Sequence, residues 1–295
     1  MALVIAIWAE GSAPAPPSNL IVLPNGTTFD AEVVKKTRAI PRDQCEGGQI
    51  DKCIFAARER LDRLFLIGDS HAAHWFPAVE GLAKAIGASL YVRVQPACLA
   101  SPVPIFNHRP GRSDTECLQW SEQVLSEIER MRPEIVFIGQ ASRYQPAQPV
   151  THERLEGQER LAALSRAEKK MIERIVAAGA HIVMFVDTPR FPADPLKCLM
   201  KNRNNTSLCQ WPEHEAVFSD PFPWSFSHDQ PPPGVSVIDL TDQVCWDGFC
   251  HAANDTQVLM RDKGHLTASF AATLADTLEK RLAATSQIPL VMRQR

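Results

Sequence analysis

The chain has no block of basic residues and no module that reads RNA or DNA. Lysine and arginine number 31 against 34 aspartate and glutamate, for a formal net charge of -3. No nucleic-acid partner is expected from that balance. The eight cysteines include no Cys-x-x-Cys pair, so the usual spacing of a structural zinc site is missing. There is no internal repeat and no low-complexity domain. The apolar stretch Ala2-Leu3-Val4-Ile5-Ala6-Ile7-Trp8-Ala9 is too short to cross a bilayer. It also lacks the basic start of a complete signal peptide. With the Pro/Ser-rich residues 11–18 behind it, it reads either as the end of a membrane helix with its linker or as an apolar segment packed on the domain.

What is present is ordinary globular composition: 295 residues, 45% hydrophobic and 22% charged. That length supports one sizeable core with appendages. The cysteines fall close together in sequence as Cys45 and Cys53, Cys98 and Cys117, Cys198 and Cys209, Cys245 and Cys250. An even count in short loops reads as disulfides formed in an oxidising compartment. Buried free thiols in a cytosolic enzyme are the competing reading, and spacing alone does not prove connectivity.

Short apolar runs alternate with helical patterns. Strands are expected at 64–67, 89–94, 134–139, 181–187 and 235–240. Helices are expected over 74–86, 121–131 (stopped by Pro133), 165–178 (ended by Gly179) and 268–282. Such alternation argues for a parallel sheet covered on both faces, with ligands bound at the C-terminal ends of the strands. Residues 1–55 are expected to wrap the surface, with Val33-Val34-Lys35-Lys36 too short to assign. Residues 54–61 are expected to form a short helix or lead-in. The stretch from Thr188 to Gly234 shows no convincing core element and reads as a loop walling the site or as a surface excursion.

Gly68-Asp69-Ser70-His71 follows the first strand, and Asp262-Lys263-Gly264-His265 precedes the last helix. A serine on a strand-to-helix turn and an Asp/His pair three apart are parts for serine-based acyl chemistry. Each also has a plain structural reading: Ser70 as a helix cap, Asp262 as an acidic residue at the final helix's start, His265 as a loop histidine. Asp239, Asp242, Asp247 and Asp255 are alternative orienters of a histidine. His71 and His74 read as substrate-facing, supporting or purely structural groups.

These two motifs resemble those of the SGNH (GDSL-like) hydrolase superfamily. More narrowly, Ile67-Gly68-Asp69-Ser70-His71-Ala72-Ala73-His74-Trp75-Phe76-Pro77 is similar to the C-terminal domain of membrane acyltransferase-3 proteins, which O-acetylate lipopolysaccharide, peptidoglycan or other surface glycans. Cys245 and Cys250, upstream of Asp-x-x-His-Leu-Thr, are similar to that family too, and the resemblance covers roughly residues 40–285.

The resemblance implies a three-layer α/β/α sandwich around a mostly parallel five-stranded sheet. It implies a catalytic domain over 56–285 with a 188–234 insertion. Ahead of it lies a 1–55 membrane-helix end, linker and wrapping extension, and behind it a 286–295 tail. Ser70 becomes the nucleophile, His265 the base and Asp262 its orienter. The Ser70 and Gly139 N–H groups become oxyanion donors. His74, Gln140, Arg143 and Tyr144 become substrate-binding residues. The superfamily's Gly-x-Asn-Asp is absent: Gly139-Gln140-Ala141-Ser142-Arg143-Tyr144 stands there, with the Arg-aromatic pair common in the narrower family.

The implied activity is acetyl transfer to a surface carbohydrate on the extracytoplasmic side of a bacterial inner membrane. The implied partner is an acyltransferase-3 membrane domain, with acetyl-coenzyme A as ultimate donor and no cofactor held by this segment. A standalone secreted carbohydrate esterase and a vestigial glycan-binding domain are the alternatives.

Overall fold

The computed structural model describes residues 19–40, 54–56, 62–106, 114–148, 153–203, 205–219 and 221–285. A hairpin of β1 (Leu20–Val22) and β2 (Thr28–Asp30) leads into α1 (Ala31–Lys36). The main sheet then takes β3 (Ile54–Phe55), β4 (Arg63–Gly68), β5 (Ser89–Val94), β6 (Ile135–Gly139), β7 (His181–Phe185) and, later, β9 (Val235–Ile238). Between the strands run α2 (Ser70–Ile86), α3 (Asp114–Met131) and α4 (Gly157–Ala177). After β7 come α5 (Pro195–Lys201), β8 (Gln210–Pro212) and α6 (Glu213–Ala216). The described residues end with the hairpin β10 (Cys245–Trp246) and β11 (Phe249–His251), then α7 (Ala268–Thr273) and α8 (Ala275–Ala284).

The main sheet has the order β3-β5-β4-β6-β7-β9, and every pairing is parallel except that of β3 with β5. Its strands are apolar throughout because both faces are covered. The two-residue period sorts them between layers. Leu64, Leu66, Ile135, Phe137, Val183 and Phe185 join the core that includes α2, α7 and α8. Phe65, Ile67, Val136, Ile138, Ile182 and Met184 join the core that includes α3 and α4. This is the three-layer α/β/α sandwich.

The structure corrects several sequence expectations. The sheet has six strands rather than five, because Ile54–Phe55 is an antiparallel edge strand opposite Tyr91 and Leu90, while residues 57–61 of the expected helix or lead-in lie outside the described residues. Helix α2 begins at Ser70 rather than at residue 74, because the Asp69 carboxylate accepts the His71 N–H at 2.7 Å and caps it. The final helix is two helices, α7 and α8, divided at Leu274. The 188–234 stretch holds α5, a 3-10 turn at Thr206–Leu208, β8 and α6. Strand β8 pairs with β11 to build a small second sheet.

Residues 20–40 do more than wrap the surface. Ile21, Leu23, Ala31 and Ile40 are buried in the main core. Val33-Val34-Lys35-Lys36 lies in α1, whose cap Asp30 accepts the Glu32 and Val33 N–H groups at 2.8 and 3.2 Å.

Disulfides join Cys98 to Cys117, Cys198 to Cys209 and Cys245 to Cys250. Cys45, Cys53 and the apolar residues 2–9 lie outside the described residues. Among the described residues, no helix is long and apolar enough to cross a membrane.

Candidate active site

Strands β4 and β6 end side by side at Gly68 and Gly139. Gly68 turns the chain at φ 137°, and a Cβ there would sit 1.8 Å from the Gly139 carbonyl oxygen. A Cβ on Gly139 would sit 2.9 Å from Ala72 Cα. Both positions therefore need glycine for α2 to start hard against the sheet edge, and that start presents Ser70.

The turn before α7 delivers the other partners. Arg261 N–H donates to the His265 carbonyl at 2.8 Å and closes the turn. Within it the Asp262 Oδ1 atom accepts the N–H groups of Gly264 and His265 at 3.0 and 3.1 Å. His265 Nδ1 lies 2.8 Å from the same oxygen, and His265 Nε2 lies 2.9 Å from Ser70 Oγ. The structure thus brings together Ser70, His265 and Asp262, with Ser70 and His265 separated by 195 residues in the chain. The segment after β7 braces the turn: Thr188 Oγ1 donates to the Gly264 carbonyl at 3.0 Å, and Phe191 N–H donates to the Lys263 carbonyl at 2.7 Å.

Burial, opposed by the Asp262 bond and reinforced by charge at His71, leaves the His265 pKa below its ordinary value. His265 is therefore neutral at pH 7, as a proton acceptor from Ser70 must be. Burial alone would raise the Asp262 carboxyl, but the His265 bond and the backbone donors outweigh it and hold the group ionised. Asp239, Asp242, Asp247 and Asp255 do not contact His265.

A second His/Asp pair stands beside this one. His71 Nδ1 lies 2.6 Å from Asp187 Oδ1, and the His71 ring centroid lies 4.8 Å from that of His265. Burial opposes charge on His71, but Asp187 overcomes it and raises the pKa. Asp187 also accepts the Ser142 N–H at 2.7 Å. The separation of 116 residues between His71 and Asp187 hides this pair from any local motif.

Asp69 is a hub as well as a cap. Its second oxygen accepts the Ala141 N–H at 3.1 Å and the Tyr144 hydroxyl at 2.7 Å, and the residue is 2% exposed. Burial and Asp69 hold the Tyr144 hydroxyl protonated, so it acts as the donor. Arg160 donates to the carbonyls of Ser142 and Tyr144, and Ser142 Oγ accepts the Phe222 N–H at 2.8 Å. The 141–144 loop is thereby fixed between α2, α4 and the 188–234 insertion.

The cleft above these groups has a volume of about 350 Å³. Besides the triad it is lined by Arg38, Ala97, Ala141, Arg143, Tyr144 and Arg261. Arg143 and Tyr144, two of the residues expected to contact substrate, line this cleft. The other expected site residues are elsewhere. Gly139 packs on the first turn of α2 and does not line the cleft. Gln140 is buried, and its side-chain oxygen accepts the Ala100 N–H at 3.1 Å. His74 is 2% exposed, behind His71 and His265, with ring centroids 5.1 and 5.9 Å away.

Ala97, which does line the cleft, has a left-handed φ of 61°, unusual for alanine. A separate cleft of about 420 Å³, walled in part by Glu159, Arg166 and Lys170, contains none of the triad. Among the described residues, no group of three His, Cys, Asp or Glu side chains is placed to hold a metal ion.

The chain is similar in fold to the periplasmic domain of a lipopolysaccharide acetyltransferase of Salmonella ser. Paratyphi A. That likeness has a TM-score of 0.56 and 18% identity, covering 86% of this chain and 94% of the other. A carbohydrate esterase family 2 enzyme with a carbohydrate binding domain, from Corynascus thermopiles (Myceliophthora fergusii), matches at a TM-score of 0.40 and 15% identity, over 77% of this chain and 68% of that one. No curated protein matches the chain. The family described as SGNH domain (fused to AT3 domains) matches residues 37–280, which hold every residue of the triad and its supports. The chain belongs to that SGNH domain family.

Proposed function

We propose that this domain transfers an acetyl group to a hydroxyl of a bacterial surface polysaccharide through an acyl-enzyme on Ser70. The observation that carries the reading is the unbroken relay from Ser70 Oγ through His265 to Asp262, at 2.9 and 2.8 Å. In the first half-reaction Ser70 Oγ attacks the acetyl carbonyl while His265 Nε2 takes its proton. The tetrahedral intermediate collapses, and His265 returns that proton to the departing group. In the second half-reaction His265 takes the proton of a sugar hydroxyl, which attacks the acetyl-serine carbonyl. Ser70 then leaves and recovers its proton from His265. Asp262 stays ionised throughout and stabilises the imidazolium.

The oxyanion needs donors aimed at the cleft. The Ser70 N–H at the α2 N-terminus is one. For the second we put Ala97 ahead of Gly139, because Ala97 lines the cleft in a strained backbone conformation. Arg143 and Tyr144 are the acceptor contacts we retain.

The family's fusion to AT3 domains supports a membrane partner that passes the acyl group across the bilayer, with acetyl-coenzyme A as the ultimate donor. The likeness to the Salmonella domain, the periplasmic domain of a lipopolysaccharide acetyltransferase, supports an extracytoplasmic site and a glycan acceptor. In this reading residues 56–285 form the catalytic unit together with β3 and the 20–40 strap that the main core holds, with 188–234 walling the site.

The test is to incubate the protein and its Ser70→Ala form with an activated acetyl ester, with and without surface glycans. Intact mass and products are then measured. An acetyl adduct that needs Ser70, with the label appearing on sugar, is the expected result. Acetate release with no sugar product would make the domain an esterase. No adduct and no turnover from folded protein would sink the acyl reading.

A further inference from the structure

The cleft of a chain that carries net negative charge is walled by cations. Arg38 and Arg143 are exposed, Arg261 is half-buried, and all three line it. They come from three separate parts of the chain: the strap after α1, the loop after β6 and the turn before α7. Arg190 stands just behind, its Nη1 atom 3.5 Å from where a Cβ on Gly264 would lie. Arg143 is close enough to Arg190 and to His71 to disfavour positive charge on both.

The two carboxylates that line the cleft are bonded to other partners. Both oxygens of Asp69 are taken by the His71 and Ala141 N–H groups and the Tyr144 hydroxyl. Asp262 is bonded to His265 and lies 3.4 Å from Arg261 Nε. Among the described residues, no carboxylate forms an ion pair with Arg38 or Arg143. Two like charges, Arg38 and Arg143, at one open cleft and with no ion pair of their own among the described residues favour an anion between them.

Resting on the acyl-transfer reading above, we infer that the acceptor is an anionic glycan, whose carboxylate or phosphate is gripped by Arg38 and Arg143 while its neighbouring hydroxyl faces Ser70 and His265. The guanidinium's planar donor fork fits either anion in bidentate geometry. The sugar's charge thereby fixes which hydroxyl is presented.

The test is a binding titration of the full chain, which does not depend on turnover. Its ligands are a uronate-bearing oligosaccharide, the same oligosaccharide with its carboxyl groups reduced to alcohols, and a phosphorylated oligosaccharide of equal length. The charged ligands are expected to bind at least about tenfold tighter than the reduced one at low salt. That advantage is expected to shrink in 0.5 M salt and to collapse in an Arg38→Gln/Arg143→Gln double variant. A preference between uronate and phosphate identifies which anion the cleft takes. Equal binding of charged and reduced ligands, or an advantage that survives in the double variant, overturns the inference. Far-ultraviolet circular dichroism confirms that the variant is folded. Failure of Ser70-dependent acetylation would instead remove the acyl reading and leave the titration result standing.

Discussion

His71 Nδ1 lies 2.6 Å from Asp187 Oδ1, one residue along the chain from Ser70. The pair is buried and raises the His71 pKa, burial opposing and Asp187 prevailing. Its stabilising contribution is complete below the unfolded histidine value of about 6.5 and is lost as pH rises through the higher folded value. The gap in melting temperature between the native protein and Asp187→Asn is therefore expected to be wider at pH 5.5 than at pH 9. Equal gaps would show that His71 does not take up a proton there.

His74 has the opposite sign. It is buried, both ring nitrogens are without a hydrogen-bond partner among the described residues, and burial pushes its pKa well down. The unfolded chain takes a proton at this residue below about pH 6.5 and the folded chain does not, so His74 costs stability on acidification. His74→Leu removes an unsatisfied polar group and is expected to stabilise by about 1 kcal/mol. Thermal melts at pH 5 and pH 8 check this, with the larger gain expected at pH 5. A loss at both values would mean that the imidazole has a packing role that leucine does not fill.

His265 is held neutral by burial, so Ser70-dependent ester hydrolysis is expected to keep its rate down to an acid limb centred below about pH 6.5. Asp262→Asn preserves the shape of the turn but removes the charge that orients His265 and stabilises the imidazolium. Its kcat/KM is expected to fall by about a thousandfold or more. A fall under tenfold would make another group the orienter.

Gly139→Ala places a methyl group against Ala72 at the start of α2. The backbone there cannot yield without moving Ser70, so a loss of about 1–3 kcal/mol is expected from overpacking, with lowered turnover. Chemical denaturation and ester hydrolysis measured on the same sample test both. Full stability with lost turnover would return Gly139 to the oxyanion site.

The five parallel strands were legible because each is an apolar run flanked by helical periodicity. β3 was not, since two residues such as Ile54–Phe55 carry no period and become a strand only through pairing with β5. The helix starts at Ser70 and Asp114 precede the apolar periodicity that marked those helices in sequence.

The meeting of Ser70, Asp262 and His265 was legible because serine-based acyl chemistry would need those types on two recognisable turns. Asp187, Tyr144 as the partner of Asp69, and Arg38 were not visible as site groups in the same way. Their partners lie 75 or more residues away for the first two, and Arg38 sits in a stretch with no periodic signal. Gln140 looked available for substrate, but its side chain turns to Ala100 in the neighbouring loop.

The strap of residues 20–40 has a practical consequence for where the chain is cut. It inserts Ile21, Leu23 and Ile40 into the main core. Thr37 offers its carbonyl to Arg261 at 3.4 Å, and Arg38 stands in the cleft wall. An expression boundary at residue 56, close to where the βα alternation begins, would strip Ile21, Leu23, Ala31 and Ile40 from the core, the edge strand β3 from the sheet and one charge from the cleft. Such a fragment would keep Ser70, Asp262 and His265 and still misreport the domain's stability and the charge of its cleft.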